Sequence, residues 1–312
     1  MEAISLYEQL EKDFIFPELV DDWSKETNDI SDFICYQYKK RFMGLVCDNT
    51  KIINKVYTAV FPSNKVMQSV LDKNETDIML FVHHPAVWDI RKSPQVFQSM
   101  DKNLLEQFKD KRISIYNLHV PLDNFSDYST SVSLANKLDI NIDKKIVPYH
   151  GAMAGIIGTI EFKNISELKT KFESIIGHKI GIYQNNGDDI KDQKIAVVAG
   201  GGNDLEILKE VFDEGVNTFV TGITAKNDHS KLAHDFAEEN KMNIGNKMAE
   251  LENKYNSGQP PYLTDTECMD LRDWYENLYE YSYDTKSHIN TLYFANRMTE
   301  MKNILIARKC KG

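Results

Sequence analysis

Cysteine is scarce in this chain. Four occur among 312 residues: Cys35, Cys47, Cys268 and Cys310. No two of them form a CxxC pair, which argues against a zinc ribbon and against a thioredoxin-like redox motif. Scattered cysteines in a long chain are typical of reduced thiols in a reducing compartment. We therefore predict a cytoplasmic protein.

Long hydrophobic runs are absent as well. No stretch approaches the ~20 apolar residues that a membrane helix needs. The first residues, MEAISLYEQLEKDF, are acidic and amphipathic and lack the basic start and apolar stretch of a secretory signal. The sequence thus predicts a protein without a membrane partner.

Positive charge is in deficit, with 37 lysines and arginines against 47 acidic residues and a net charge of -10. An acidic surface opposes non-specific binding to nucleic acid, so we expect no nucleic-acid partner. The balance of 42% hydrophobic and 27% charged residues is that of a globular protein. The length suits one large domain or two ordinary ones.

Motifs of nucleophilic catalysis and of nucleotide binding are missing too. The chain has no GxSxG, and no cysteine has a histidine partner nearby in sequence. It has neither GxGxxG nor a Walker loop. These absences argue against a serine or cysteine hydrolase and against a P-loop enzyme.

What the chain does have is an alternation of predicted strands and helices. After a first helix at 3–12, strands are predicted at 41–48, 54–61, 77–84 and 113–119, with helices at 65–73, 103–111 and 129–138. The pattern resumes with strands at 194–202 and 217–222, followed by helices at 203–215 and 229–241. Such alternation favours an α/β fold with a largely parallel sheet covered by helices.

Two segments depart from this alternation. Residues from about 150 to 190 combine a glycine-broken strand, an amphipathic helix and a further strand, which predicts a small inserted α+β subdomain within a domain of residues 1–244. Residues 245–312 predict a helical tail. There, Thr264 and Glu267 fit a capping box that opens a helix through DLRDWYENLYEY, and a second helix is predicted from Thr285 to Arg308.

Histidines follow two neighbouring predicted strands where each strand ends. His83 and His84 come before Pro85, and His119 precedes Asp123 by four residues. If the strands are parallel, both groups emerge at their carboxyl ends, where open α/β sheets place ligands. Imidazoles and a carboxylate suit zinc, iron, manganese or cobalt, and a bound divalent metal would lower the pKa of a water molecule for hydrolysis.

The other histidines are interpreted as structural, hydrogen-bonded residues rather than ligands. They are His150, His178, His229, His234 and His288.

A glycine loop, GGGND, joins the strand at 194–202 to the next helix. Gly200, Gly201 and Gly202 could cradle a phosphate with backbone N–H groups at the helix N-terminus. A tight turn that needs positive φ explains the glycines equally well. Asp204 would repel a phosphate and instead suits the helix as a cap.

Five short pieces of the sequence resemble the GTP cyclohydrolase I type 2-like family of intracellular dinuclear-metal proteins. They are GLVCDN at 44–49, VHHP at 82–85, LHVPLD at 118–123, AGGG at 199–202 and FVTG at 219–222. Their order and spacing cover residues from about 40 to 244. The resemblance implies two similar α/β lobes with a small inserted domain, and a ring-shaped homohexamer. It also implies metals held by His83, His84, His119 and Asp123.

The sequence departs from the family after Ile244. Family members complete the metal site there with a histidine and a glutamate four residues apart. This chain reads GNKMAELEN instead, with Glu250 present but Asn246 four residues before it. Glu250 is one candidate for a substitute ligand. Loss of the second half of the site favours one metal ion over two.

Two functions are compatible with these features. The first is a metal-dependent, hydrolase-like protein that acts on a small heterocyclic or phosphorylated substrate, with an activity that the missing ligands could impair. The second is a non-catalytic metal-binding scaffold or regulatory protein whose altered tail serves a partner. GTP ring-opening hydrolysis is the activity that the resemblance implies.

Overall fold

The computed structural model describes residues 1–88, 97–176, 180–222, 230–246 and 278–280. The chain divides into two compact units. One comprises Met1–Leu122 and Arg272–Gly312, and the other comprises Asp123–Leu271. Among the described residues, no helix has the length and apolar character that crossing a bilayer requires.

The helices are α1 Ala3–Phe14, α2 Ser24–Thr27, α3 Tyr38–Arg41, α4 Asn64–Asp72, α5 Lys102–Asp110, α6 Val120–Asp123, α7 Thr130–Lys137, α8 Ile165–Ile176, α9 Leu205–Asp213 and α10 Lys231–Glu239. The strands are β1 Gly44–Cys47, β2 Lys55–Ala59, β3 Ile78–Val82, β4 Val87–Trp88, β5 Phe97–Gln98, β6 Ile113–Asn117, β7 Asn141–Tyr149, β8 Ala152–Thr159, β9 Gly181–Gln184, β10 Lys194–Val198, β11 Thr218–Thr221, β12 Asn243–Asn246 and β13 Leu278–Glu280. Every helix and strand predicted between residues 3 and 241 is present, with ends that differ by a few residues. The α/β class is confirmed.

The first unit contains a five-stranded sheet in the order β1-β6-β3-β2-β13. Its three central strands, β6, β3 and β2, run parallel, whereas β1 and β13 pair antiparallel at the two edges. All five residues of β3 and all five of β6 are buried, as expected for strands covered on both faces. The prediction of a largely parallel sheet therefore holds for the centre of the sheet and is wrong for its edges.

Helix α4 shows how sequence builds this unit. The Ser63 side chain accepts a hydrogen bond from the Val66 amide, which caps the first turn. The apolar side chains of the helix then recur with helical spacing and pack into the same core as the sheet, namely Val66, Met67, Val70 and Leu71.

The second unit contains a six-stranded sheet in the order β7-β8-β10-β11-β12-β9. Strands β10, β11 and β12 run parallel, and β8 and β9 pair antiparallel against the two sides of this trio. The strands of the 150–190 segment thus belong to the same sheet as β10–β12. The predicted domain boundaries remain a prediction.

The tail differs from its prediction at one point. Leu278–Glu280 was expected in a helix, but these residues form β13 and pair antiparallel with β2. Pairing with the outer edge of β2 offers the backbone hydrogen bonds that outweigh local helical spacing, since aromatic and aliphatic residues suit strands as well. The second helix predicted for the tail, from Thr285 to Arg308, lies outside the described residues.

Candidate metal centre

The carboxyl ends of the central strands bring the predicted histidines together. β3 pairs in parallel with β2 on one side and with β6 on the other. His83 and His84 follow β3 directly, and His119 lies two residues beyond β6. Backbone pairing continues past the strand ends, because the His84 amide donates to the Val60 carbonyl at 2.9 Å. The two histidine motifs therefore emerge at the same edge of the first sheet.

The three imidazoles form a compact cluster. One ring nitrogen from each of His83, His84 and His119 lies within 4.8 Å of the others, and all three residues are partly buried. The ring centroids are 4.5 Å apart for His83 and His84, 5.1 Å for His83 and His119, and 4.7 Å for His84 and His119. This donor set could hold a metal ion.

Hydrogen bonds define the protonated nitrogen of two of these rings. His83 Nδ1 lies 3.0 Å from the Leu118 carbonyl oxygen, and His119 Nδ1 lies 3.1 Å from Asp21 Oδ2. Carbonyl and carboxylate oxygens accept hydrogen bonds, so these contacts assign the proton of each ring to Nδ1. In this tautomer Nε2 is the ring nitrogen that carries the lone pair, and a lone pair is what a metal ligand needs.

The third ring, that of His84, carries an orphaned atom. Its Nδ1 is shielded from solvent and has no hydrogen-bond partner in the described part of the chain. Burial lowers the pKa of His84 well below its usual value, and the neighbouring His83 and His119 lower it further. The ring is therefore neutral at neutral pH, which is the form that binds metals. Coordination would satisfy a nitrogen that protein contacts leave unpaired.

Aromatic side chains surround the cluster. The indole of Trp23 packs edge-on against His84 and His119, with centroids 5.6 and 5.2 Å apart. Phe61 stacks on the His84 ring at 4.8 Å, and Phe97 lies 5.7 Å from it. These rings limit the access of water to the imidazoles and restrict their rotation.

A buried side-chain amide is hydrogen-bonded to the backbone of the histidine pair. The Asn117 side chain, at the end of β6, donates from Nδ2 to the His83 carbonyl oxygen and accepts from the Tyr38 hydroxyl at 3.0 Å. Asn117 is fully buried. This bridge ties the end of β3 to the end of β6, where the two histidine motifs leave the sheet.

Asp123, the fourth predicted ligand, is the first residue of the second unit. Its Oδ1 accepts a hydrogen bond from the Thr130 hydroxyl at 2.8 Å. Glu250, the predicted substitute ligand, lies outside the described residues. The metal-binding role of both residues remains a prediction.

The glycine loop of the second unit is held by its own contacts. The Gly202 amide donates to the Gly200 carbonyl at 3.1 Å and to the Thr221 hydroxyl at 2.9 Å. A Cβ on Gly202 would lie 2.6 Å from Thr221 Oγ1 and 2.7 Å from Phe219. Close packing thus accounts for Gly202, whereas Gly200 and Gly201 face open space and their contact with a phosphate stays a prediction.

Asp21 and Trp23 are site residues that sequence reasoning missed. Both lie in the segment before α2, and Asp21 reaches His119 across 98 residues of sequence. No local pattern marks such a contact. Asp21, two residues before Trp23, becomes recognisable as a site residue only once the strand ends are known to meet there.

Known proteins are similar to this chain in sequence. The model of the Duf34/NIF3 (NGG1p interacting factor 3) family matches residues 20–244. A GTP cyclohydrolase 1 type 2 homolog of Buchnera aphidicola subsp. Schizaphis graminum is 28% identical over 181 residues, covering 57% of this chain and 68% of the relative. That of Borreliella burgdorferi is 28% identical over 219 residues, covering 70% and 83%. The predicted family resemblance is confirmed.

Solved structures share the fold at low identity. Reduced HcgD from Methanocaldococcus jannaschii has a TM-score of 0.56 and 20% identity, covering 82% of this chain and 90% of its own. The protein ybgI, of unknown function, has a TM-score of 0.56 and 21% identity, covering 78% and 85%. Identities this low carry the fold alone.

Proposed function

The chain belongs to the Duf34/NIF3 family, and we propose that it binds a divalent metal ion through His83, His84 and His119. We further propose that it acts as a hydrolase on a small heterocyclic or phosphorylated substrate. The observation that carries the proposal is the convergence of three imidazole nitrogens within 4.8 Å at the carboxyl ends of parallel central strands.

The donor set fits a metal in three respects. Imidazoles bind zinc, iron, manganese and cobalt alike. In two of the rings Nδ1 faces a hydrogen-bond acceptor, so Nε2 is the nitrogen that carries the lone pair. The third has a shielded nitrogen without a partner among the described residues. Three imidazole ligands suit one ion, and a second ion needs donors beyond this cluster.

The chemistry follows from the environment of the site. A bound divalent metal supplies Lewis acidity for hydrolysis at neutral pH. The chain itself contributes the fixed ring orientations and an aromatic surround, Trp23 and Phe61, that restricts water. The substrate class is supported by the name of the relatives, because GTP is both heterocyclic and phosphorylated.

Metal content and turnover should be measured on the full chain, with His84→Ala as the test and His150→Asn as the control. His150 is an exposed histidine with φ of 48°, a conformation that asparagine tolerates. We expect the wild type and His150→Asn to bind at least one zinc or cobalt ion per chain and to hydrolyse a nucleotide or nucleotide ester. His84→Ala should lose both properties.

Each alternative outcome has a distinct meaning. A wild type that carries no metal and binds none on titration would contradict the proposal. Metal that is bound without turnover on nucleotides or their esters would contradict the hydrolase part and leave a metal-binding scaffold. The homohexamer and the cytoplasmic location remain predictions, and light scattering on purified protein tests the first of them.

A further inference from the structure

We propose that Asp21 is a positioning residue of the metal centre: its carboxylate fixes the His119 imidazole in the Nδ1–H form and leaves Nε2 as the coordinating nitrogen. This inference rests on the proposed function, because it concerns how the chain prepares one of its three ligands. Nothing in the sequence around Asp21 resembles a ligand motif.

The contact itself is shielded and anchored. Asp21 Oδ2 lies 3.1 Å from His119 Nδ1, and the two side chains are only 7% and 12% exposed. The other carboxylate oxygen, Oδ1, accepts the backbone amide of Asp22 at 3.0 Å. Both oxygens are therefore engaged, so the carboxylate is held in one orientation. A charge-assisted hydrogen bond out of solvent is stronger than an exposed one.

A carboxylate behind an imidazole changes what the imidazole can do. It holds the proton on Nδ1, so that Nε2 stays unprotonated. It also restricts rotation of the ring and makes Nε2 a more basic ligand. The three rings differ in this respect. His83 donates to a backbone carbonyl, His84 has no partner for Nδ1 in the described residues, and His119 faces a carboxylate. Asp21 thus gives His119 the most strongly oriented ring of the three.

The segment that carries Asp21 is fixed at a second point. Two residues later, the buried Trp23 packs edge-on against both His119 and His84. The segment therefore contacts the cluster through a carboxylate and through an indole. An acid held this way differs from a surface acid that happens to lie near a histidine.

The test compares Asp21→Asn with Asp22→Asn in the full chain. Asp22 is the adjacent residue, is exposed and accepts from the Ser24 amide at 2.9 Å in the same segment. We expect Asp21→Asn to weaken zinc binding, measured by chelator competition, by about 10- to 100-fold, the range typical of ligand-orienting partners. It should also alter the visible spectrum of the cobalt-loaded protein. Asp22→Asn should match the wild type in both measurements.

A readout without metal keeps the inference independent of variant folding. In the metal-free wild type at neutral pH, long-range ¹H–¹⁵N NMR should show His119 protonated on Nδ1. Protonation on Nε2 would overturn the inference, as would equal zinc affinity and an unchanged cobalt spectrum for Asp21→Asn. A wild type that binds no metal would instead contradict the proposed function, whatever the His119 tautomer.

Discussion

The sheets of the two units share a plan, with three parallel strands at the centre and antiparallel strands at both sides. They differ in the residues that come after the carboxyl ends of the central strands. In the first sheet these ends lead into His83, His84 and His119. In the second they lead into the glycine loop and Gly222. Imidazole side chains therefore lie at the carboxyl ends of the first sheet's central strands, and close backbone contacts lie at those of the second sheet.

The glycines explain the second edge without a ligand. A Cβ on Gly222 would lie 2.6 Å from the Ala199 carbonyl oxygen, so two chain segments approach each other more closely than any side chain permits. The first edge has the opposite property, since it leaves a buried His84 nitrogen without a partner among the described residues. The same arrangement of strands thus yields a candidate ligand site in one unit and a packed turn in the other.

The largest effect is expected where this packing is broken. Gly202→Ala should destabilise the protein by about 3 kcal/mol, because overpacking of a close contact forces neighbours to shift. Gly201→Ala is the matched control, since its Cβ would meet nothing nearer than the Asn203 side chain at 3.9 Å. Urea denaturation of both variants measures the difference. Equal stabilities would show that the loop is open rather than packed.

Metal binding should protect amides of the first unit from hydrogen exchange and leave those of the second unit unaffected. A ligand at 100 times its dissociation constant stabilises the state that binds it by about 2.7 kcal/mol. We expect added zinc to slow hydrogen exchange at the His83, His84 and Leu118 amides and to leave the Gly202 and Gly222 amides unchanged. Magnesium, which prefers oxygen ligands, is the control cation. Equal protection of both edges would contradict a site built on the first sheet.

A smaller effect is expected from the support beneath the histidines. Asn117→Ala leaves both the His83 carbonyl and the Tyr38 hydroxyl without their side-chain partner, and should cost about 2 kcal/mol. Tyr38→Phe removes only one of the two bonds and should cost about 1 kcal/mol.

Asn103→Ala, at an exposed position of α5, is the control for these two variants and should be close to neutral. Thermal unfolding of the three metal-free proteins ranks them. If Tyr38→Phe destabilised the protein more than Asn117→Ala, the Asn117 amide would not be the central group that joins His83 and Tyr38.

The parts of the fold that sequence predicted are those with strong local patterns. The continuous apolar run of β3 is fully buried, and the helical spacing of α4 matches its buried face. The histidines were predictable for a related reason. Their motifs come directly after such runs, and parallel strands place their carboxyl ends side by side.

The features that sequence did not reveal depend on contacts distant along the chain. β7, NIDKKIVPY, is an edge strand that is largely exposed, so it lacks the apolar alternation that predicts a strand. β13 depends on pairing with β2, more than 200 residues earlier. Asp21 depends likewise on the meeting of two distant segments. Register and partner choice of this kind come from tertiary packing, which local propensity does not encode.

X-ray absorption on the zinc-loaded full chain tests imidazole ligation most directly. The account predicts a first shell of nitrogen at about 2.0–2.1 Å, with the outer-shell scattering of at least two imidazoles. His84→Ala should reduce that imidazole contribution, whereas His150→Asn should preserve it. A shell with sulfur at about 2.3 Å, or one made of oxygen without imidazole scattering, would contradict a metal centre formed by His83, His84 and His119.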